Sequence, residues 1–336
     1  MTHELESILL SYQSKKQKGI RCVLASVVDL DGSSYRKPGV RMLIDENQKT
    51  IGAVSGGCVE KDIVFQSLKV FESGKSLMMS YDGRYRLGCE GNLFILIEPI
   101  DLTDDLINLI LNQIENRNPL KLKTYYRREL SSYENLGTEI LFKNNSIKFH
   151  KKLDYDSEDL EFEQHLPAKF KLFIIGAEHD TVALTQMTNH LGWIVEIIAS
   201  PDEQKELSYF DGANALHLLS FEEIKELEVD KETAILLMTH SLQKDLQYLL
   251  ALEGKFPLYF GLLGPKKRKE DLLNKLLEFK PDIDLKYISQ LKGPMGLDLG
   301  GESAHEIGLS ILSEILSVNR KRDAIPLSQK KGSIHD

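Results

Sequence analysis

The architecture of the chain is clearest at Leu172-Phe173-Ile174-Ile175-Gly176-Ala177-Glu178, in the second half of its 336 residues. The continuous apolar run predicts a buried strand, and Gly176 predicts the turn that ends it. A helical pattern follows over residues 181–191, and a second apolar run covers residues 193–198. This order of strand, turn, helix and strand is typical of a βαβ unit, whose two strands are parallel.

Two further apolar runs, residues 235–238 and 258–260, extend the same sheet. We therefore expect a Rossmann-like, doubly wound α/β domain. The turn after the first strand keeps only the first glycine of the G-x-G-x-x-G fingerprint, because Glu178 stands at the second glycine position. The next strand ends in Ala199 and Ser200, without the acidic residue that usually binds a ribose. These departures argue against ordinary NAD(P) binding, and an NAD(P)-dependent oxidoreductase stays open as the alternative function.

The length of the chain predicts about two domains. We expect a mixed α+β domain over residues 1–153, an acidic linker over 154–169, the Rossmann-like domain over 170–322 and a disordered tail over 323–336. The linker is inferred from its many acidic residues and from the lack of a clear apolar face.

The net charge of -9 gives no general electrostatic attraction for nucleic acid or anionic lipid, so we expect neither partner. No apolar stretch approaches the length of a membrane span, and residues 1–17 lack a signal pattern, which predicts a cytoplasmic protein. The three cysteines are too few for a disulfide framework in a chain of this size. We expect reduced thiols, with Cys22 structural because it lies inside a predicted strand.

A first candidate thiol lies in Ser55-Gly56-Gly57-Cys58-Val59-Glu60, where a glycine pair precedes a helical pattern over residues 59–71. Cys58 is therefore expected at the start of a helix. Unpaired amides at a helix N-terminus favour thiolate over thiol and lower the pKa of a cysteine. The alternative is that Cys58 is a small buried apolar residue, as most cysteines are.

A second candidate thiol, Cys89, is flanked by glycines at the mouth of a predicted strand. Arg84 and Arg86 are close in sequence and would stabilise its thiolate. Since Cys58 and Cys89 both lie at the end of an element, we expect them to share a cleft. The alternative is an interaction protein without chemistry, in which both cysteines are core residues.

The loop from Asp31 to Gly39 has the composition of an anion-binding loop. Its small residues leave backbone amides accessible, and side chains in and after it can donate to a phosphate or a pterin-like ring. These donors are Ser33, Ser34, Arg36, Lys37 and Arg41. The alternative is a solvated hairpin loop.

Two further loops follow the carboxyl ends of predicted parallel strands, where ligands bind in open α/β sheets. One contains Thr239 and His240, and the other is a glycine turn that opens a basic helix, a favourable position for a phosphate. The candidate nucleotide- or phosphate-binding residues are Gly176, His179, Thr239, His240, Gly264, Lys266, Lys267 and Arg268. The alternatives are a structural histidine and a solvated helix start. Further on, Ser303 and Glu306 predict a capping box that starts the last helix.

Five ordered motifs together resemble the xanthine dehydrogenase accessory factor family, XdhC/CoxI-like. They are Gly32 to Gly39, Ser55 to Glu60, Leu87-Gly88-Cys89, Tyr259 to Arg268 and Gly296 to Gly300. The resemblance spans nearly the whole chain and implies an N-terminal domain that holds the molybdenum cofactor (molybdopterin) and a C-terminal Rossmann domain. It also implies a non-catalytic helper that protects the cofactor, assists its sulfuration and hands it to a molybdenum hydroxylase.

Carried over by position, the resemblance makes Cys58 and Cys89 the sulfur-handling or molybdenum-contacting thiols. The cofactor-binding residues would be Cys58, Cys89, Gly56, Gly57, Glu60, Ser33, Ser34, Arg36 and Arg41. We expect a homodimer, with a xanthine dehydrogenase-type client and a cysteine desulfurase as partners. Three positions depart from the family pattern, namely Glu178, Ser200 and Glu90.

Overall fold

The computed structural model describes residues 2–32, 37–55, 57–82, 91–142 and 145–332, and of Cys58 it describes the backbone. The chain forms two compact units. The first comprises Met1–Ala168 together with the C-terminal segment from Leu327, and the second comprises Lys169–Pro326. Among the described residues, no helix has both the length and the apolar character needed to cross a bilayer.

The first unit contains two antiparallel sheets over its described residues. The first sheet has the order β3-β2-β1-β5-β4-β7 and the second has the order β10-β6-β8-β9. The elements are α1 (Thr2–Gln17), β1 (Cys22–Asp31), β2 (Arg41–Asp45), β3 (Thr50–Gly52), α2 (Cys58–Ser73), β4 (Ser76–Asp82), β5 (Asn92–Pro99), α3 (Asp104–Glu115), β6 (Leu120–Tyr126), β7 (Ser132–Tyr133), β8 (Gly137–Phe142), β9 (Asn145–Lys148) and β10 (Leu160–Leu166).

The two faces of the first sheet pack against different partners, because successive side chains of a strand point to opposite faces. Met42 and Ile44 lie in one core cluster with Val59 and Ile63 of α2. Leu43 lies in another cluster, which includes residues of α1, α3 and the second sheet. Residues 41, 43 and 45 therefore lie on the face opposite α2.

The second unit is a parallel sheet in the order β13-β12-β11-β14-β15-β16 over the described residues. Its elements are β11 (Lys171–Ile175), α4 (His179–His190), β12 (Ile194–Ala199), β13 (Ala215–Leu218), β14 (Thr233–Leu237), α5 (Leu242–Ala251), β15 (Tyr259–Leu262), α6 (Lys266–Phe279), α7 (Leu285–Ser289), β16 (Leu291–Lys292) and α8 (Ala304–Arg320). In sequence order this is 3-2-1-4-5-6, the order of a Rossmann domain. The predicted fold class is confirmed, and the strand order reverses between β11 and β14.

The predicted acidic linker over residues 154–169 is wrong for its second half, because Leu160–Leu166 form β10. Gln164 and Leu166 alternate inward, while Glu161 and Glu163 point outward. The two glutamates form ion pairs with Lys123 and Lys121 of β6, at 2.9 and 3.0 Å. The acidic residues are therefore one partner of a cross-strand charge pattern, which stabilises a sheet.

In the C-terminal part of the chain, the start of α8 agrees with the sequence prediction and the tail after it differs from that prediction. The capping box of α8 is confirmed, since Ser303 accepts from the Glu306 amide and the Glu306 carboxylate accepts from the Ser303 amide. The described part of the predicted disordered tail contains a 3-10 turn at Leu327–Gln329.

Candidate functional site

The first turn of α2 presents uncapped backbone amides. The helix begins at Cys58, as predicted, and its N-cap residue Gly57 has φ 71° and supplies no side-chain cap. Glu60, in the first turn, accepts a hydrogen bond at 2.7 Å from the backbone N–H of Ser55 through Oε1. Glu60 thus holds in place the segment at Ser55 that precedes the helix. Its Oε2 atom is buried and has no hydrogen-bond partner in the described parts of the chain.

Several predicted cofactor-binding residues lie outside the described residues. They are Ser33, Ser34, Arg36, Gly56 and Cys89, together with the side chain of Cys58. The shared cleft of Cys58 and Cys89 therefore stays a prediction. The third cysteine, Cys22, is buried as expected, and burial raises the pKa of its thiol to about 11.

Arg41 is the first residue of β2, and its side chain lies on the face of the sheet opposite α2. Its Nη1 atom donates to the carbonyl of Gly39 at 2.9 Å and also to Oε1 of Gln164 in β10. The Nε and Nη2 atoms are buried without a hydrogen-bond partner among the described residues. Burial lowers the pKa of Arg41 to about 10. The structure therefore does not bring Arg41 together with the first turn of α2.

Glu98 on β5 belongs to the same buried region and was not identified from the sequence. Its carboxylate accepts from the backbone N–H of Thr138 at 2.7 Å and from the hydroxyl of Thr138. Burial raises its pKa to about 7, against the opposing effects of the Thr138 hydrogen bonds and of the charge on Arg41. A glutamate directly after the apolar run Leu93–Ile97, still within the strand, was the signal that could have revealed it.

In the second unit, Gly176 ends β11 with φ 131°, and a Cβ there would lie 2.8 Å from the carbonyl oxygen of Met238. Only glycine fits this position without strain. Glu178 is the N-cap residue of α4, and its Oε1 accepts from the backbone N–H of His240 at 3.4 Å. His240 Nε2 lies 3.7 Å from Oδ2 of Asp180. The structure thus brings Gly176 and His240 together at the point where the strand order reverses.

Thr239 and Arg268 are also brought together, through Asp245, which the sequence did not single out. Thr239 donates its hydroxyl to Oδ1 of Asp245, while Arg268 Nη2 donates to Oδ2 of Asp245 and, at 2.9 Å, to the carbonyl of Thr239. Asp245 is fully buried, and burial raises its pKa although both hydrogen bonds oppose this shift. Arg268 is therefore a partner of Asp245.

The first turn of α6 keeps two exposed cations. Lys266 and Lys267 are exposed, and Pro265 at the N-cap makes no side-chain cap. Gly264 has φ 121°, and a Cβ there would lie 2.6 Å from Cδ of Arg268. The glycine therefore allows Arg268 to turn back toward Asp245. His179, the first residue of α4, is exposed.

Comparisons with known proteins cover both units. Residues 172–315 match the model of the XdhC Rossmann domain, and residues 16–82 match the model of the XdhC and CoxI family. Together the two matches cover more than half of the chain.

Two relatives align with this chain along most of their own length. The molybdenum cofactor insertion chaperone PaoD of Escherichia coli is 25% identical over 95% of this chain and 90% of its own. A Bacillus subtilis protein named as a probable component of xanthine dehydrogenase is 26% identical over 90% of this chain and 94% of its own. A crystal structure described as a xanthine dehydrogenase from Bacillus halodurans has a TM-score of 0.76 at 24% identity, covers 96% of this chain and 99% of that one, and shows the fold alone. The resemblance seen in the five sequence motifs is confirmed, and the chain belongs to the XdhC and CoxI family.

Proposed function

We propose that this chain is a maturation factor that binds the molybdenum cofactor and delivers it to a molybdenum hydroxylase of the xanthine dehydrogenase type. One observation carries the proposal. The relative named as a molybdenum cofactor insertion chaperone aligns over 95% of this chain and 90% of its own length, so the similarity includes both units.

The first turn of α2 supports a role in holding this cargo. Its amides have no side-chain cap, and the positive end of the helix favours an anion or a thiolate at Cys58. A thiolate is a soft ligand and suits a metal that prefers sulfur. Glu60 holds the entering chain through the Ser55 amide and so fixes the direction of the first turn.

The proposal extends to the sulfur chemistry of the cofactor. Cys58 and Cys89 are the thiols proposed to handle sulfur during sulfuration, with a cysteine desulfurase as the partner that supplies it. The chain is proposed to work as a homodimer. Cys22 has no part in this role, because its buried thiol has a raised pKa and stays protonated at neutral pH.

The test is the molybdopterin content of protein purified from cells that make the cofactor. We expect wild type and Cys22→Ala to retain molybdopterin, and Cys58→Ala to lose at least about tenfold, because mutating even a residue that only supports a metal ligand costs about 10- to 100-fold in affinity. Fluorescence of oxidised, acid-released pterin gives the content per chain. Wild-type protein without pterin would refute the function, and equal pterin in wild type and Cys58→Ala would refute the role of the thiol.

A further inference from the structure

The strand order of the second unit implies a dinucleotide site at the carboxyl ends of β11 and β14. In Rossmann domains the pyrophosphate lies over the glycine turn after the first strand and against the N-terminus of the first helix. Here that turn is Gly176 to Glu178, and the helix is α4. Whether the residues of this chain fit a dinucleotide depends on the side chain of Glu178.

Glu178 does not turn away from the crevice. It makes no side-chain cap on its own helix, and its carboxylate crosses to the loop after β14, where Oε1 accepts from the His240 amide at 3.4 Å. Its Oε2 atom lies 2.9 Å from the position that a Cβ on Gly176 would take. The carboxylate therefore fills the space over Gly176 that the fingerprint glycines keep open for a pyrophosphate.

The electrostatics at this position are also unfavourable for a diphosphate. Glu178 places a negative charge at the N-cap of α4, and Asp180 adds a second one in the first turn of the helix. Within the described chain, Oε2 of Glu178 is buried without a hydrogen-bond partner. A pyrophosphate would meet this buried carboxylate oxygen at close range, where repulsion between like charges is strong.

The other fingerprint positions have acquired structural contacts. Thr181 stands at the third glycine position, is fully buried, and donates its hydroxyl to the carbonyl of Gly176 at 3.1 Å. At the end of β12, the hydroxyl of Ser200 accepts from Lys244 Nζ at 3.2 Å. The position that usually offers a carboxylate to the ribose therefore has a hydroxyl bound to a cation.

We propose that Glu178 is an internal occupant of the pyrophosphate position and excludes NAD(P) and other diphosphate ligands from the second unit. The Rossmann unit then serves this protein without a nicotinamide cofactor. This inference does not depend on cofactor binding by the first unit, and measuring molybdopterin in the same preparations keeps the two proposals separate.

The test is calorimetric titration of the full-length protein with ADP and with NADH. We expect no saturable binding by wild type at millimolar ligand. Glu178→Gly removes both charge and bulk and should bind ADP at least about tenfold more tightly than wild type. Glu178→Gln keeps the shape and removes the charge, so its gain should be smaller. Asp180→Asn is the matched control, since it removes a neighbouring charge but leaves the space over Gly176 filled by Glu178, so its gain should be smaller than that of either Glu178 variant.

Three outcomes would overturn the proposal. They are micromolar binding of ADP or NADH by wild type, the absence of any gain in both Glu178 variants, and an equal gain in Asp180→Asn. Circular dichroism of each variant checks that it is folded. If Glu178→Gly does not fold, the isosteric Glu178→Gln alone decides, because its gain supports the exclusion and its lack of gain contradicts it.

Discussion

Glu98 and Arg41 are ionisable side chains of the first sheet that are buried in contact with the second sheet. Burial raises the pKa of Glu98 to about 7 and lowers the pKa of Arg41 to about 10. Both shifts have the same cause, since a low-dielectric surrounding disfavours the charged form of either group. His150 lies close to Glu98, since a Cβ on Gly137 would touch both side chains. Burial lowers the pKa of His150.

Glu98 should make the first unit less stable as the pH rises from 4.5 to 7. Below its ordinary pKa of 4.5 the carboxyl is protonated in both states, but above it the unfolded state ionises while the folded state keeps the proton until about pH 7. Glu98→Gln removes this difference, so the free energy of unfolding of wild type should fall by about 3 kcal/mol relative to the variant across this range.

Urea unfolding at a series of pH values measures this effect. Glu115→Gln, at an exposed position of α3, controls for the loss of one carboxylate. Parallel pH profiles for wild type and Glu98→Gln would show that Glu98 ionises alike in both states.

At the scale of elements, β10 shows how a charged segment becomes a strand. Its acidic residues pair with lysines of β6, and its inward residues Gln164 and Leu166 are buried. Gln164 also contacts Arg41, so the strand contributes to the buried polar region described above. Since β10 is the edge of the second sheet over the described residues, alternate amides face solvent.

Hydrogen exchange distinguishes a strand from a linker in this segment. We expect the amides of Leu160–Leu166 that face β6 to exchange at least about a hundredfold more slowly than those of residues 155–158, because ladder hydrogen bonds must open before exchange. Mass spectrometry of overlapping peptides measures both sets in one experiment. Uniformly fast exchange across residues 155–166 would restore the linker interpretation.

The sequence predicted those elements whose signals are local. Apolar runs and turn glycines predicted the strands of the Rossmann sheet, and the Gly57-Cys58 pair predicted the start of α2. Partners distant in sequence could not be predicted in the same way. Asp245 meets Arg268 23 residues away, and Glu98 meets Thr138 40 residues away, so neither buried carboxylate is marked by its neighbours. The alternation of inward and outward side chains in β10 was missed for the same reason. The lysines that neutralise its glutamates lie on another strand, so the sequence of β10 alone shows only a run of negative charge.

At the scale of the whole molecule, each unit has its own core. The first unit contains clusters around Leu24, Met42 and Leu96, and the second contains clusters around Phe173, Ile174 and Ile197. None of these clusters of described residues mixes side chains from the two units. A unit with its own apolar core is able to fold by itself.

We therefore expect residues 169–326 to fold when expressed alone. The fragment keeps the strands β11 to β16 and the ion pair between the buried Asp245 and Arg268. Circular dichroism should show native helix content, and urea should unfold the fragment in one cooperative transition.

Arg268→Ala in the same fragment should destabilise it by about 3 to 5 kcal/mol, since Asp245 would stay buried without its cation. Lys267→Ala, at an exposed position of the same helix, is the control for Arg268→Ala. A wild-type fragment that is unfolded would contradict the prediction that the second unit folds by itself.

The reactivity of Cys22 toward alkylating reagents reports whether the first unit is folded. The thiol is 5% exposed on β1, and with its pKa raised to about 11 it is protonated at neutral pH and unreactive toward alkylating reagents. An alkyl adduct on Cys22 therefore records an opening of the first unit and not the chemistry of a native thiol. In any labelling study of the other two cysteines, the modified fraction of Cys22 measures how much of the sample had lost its fold.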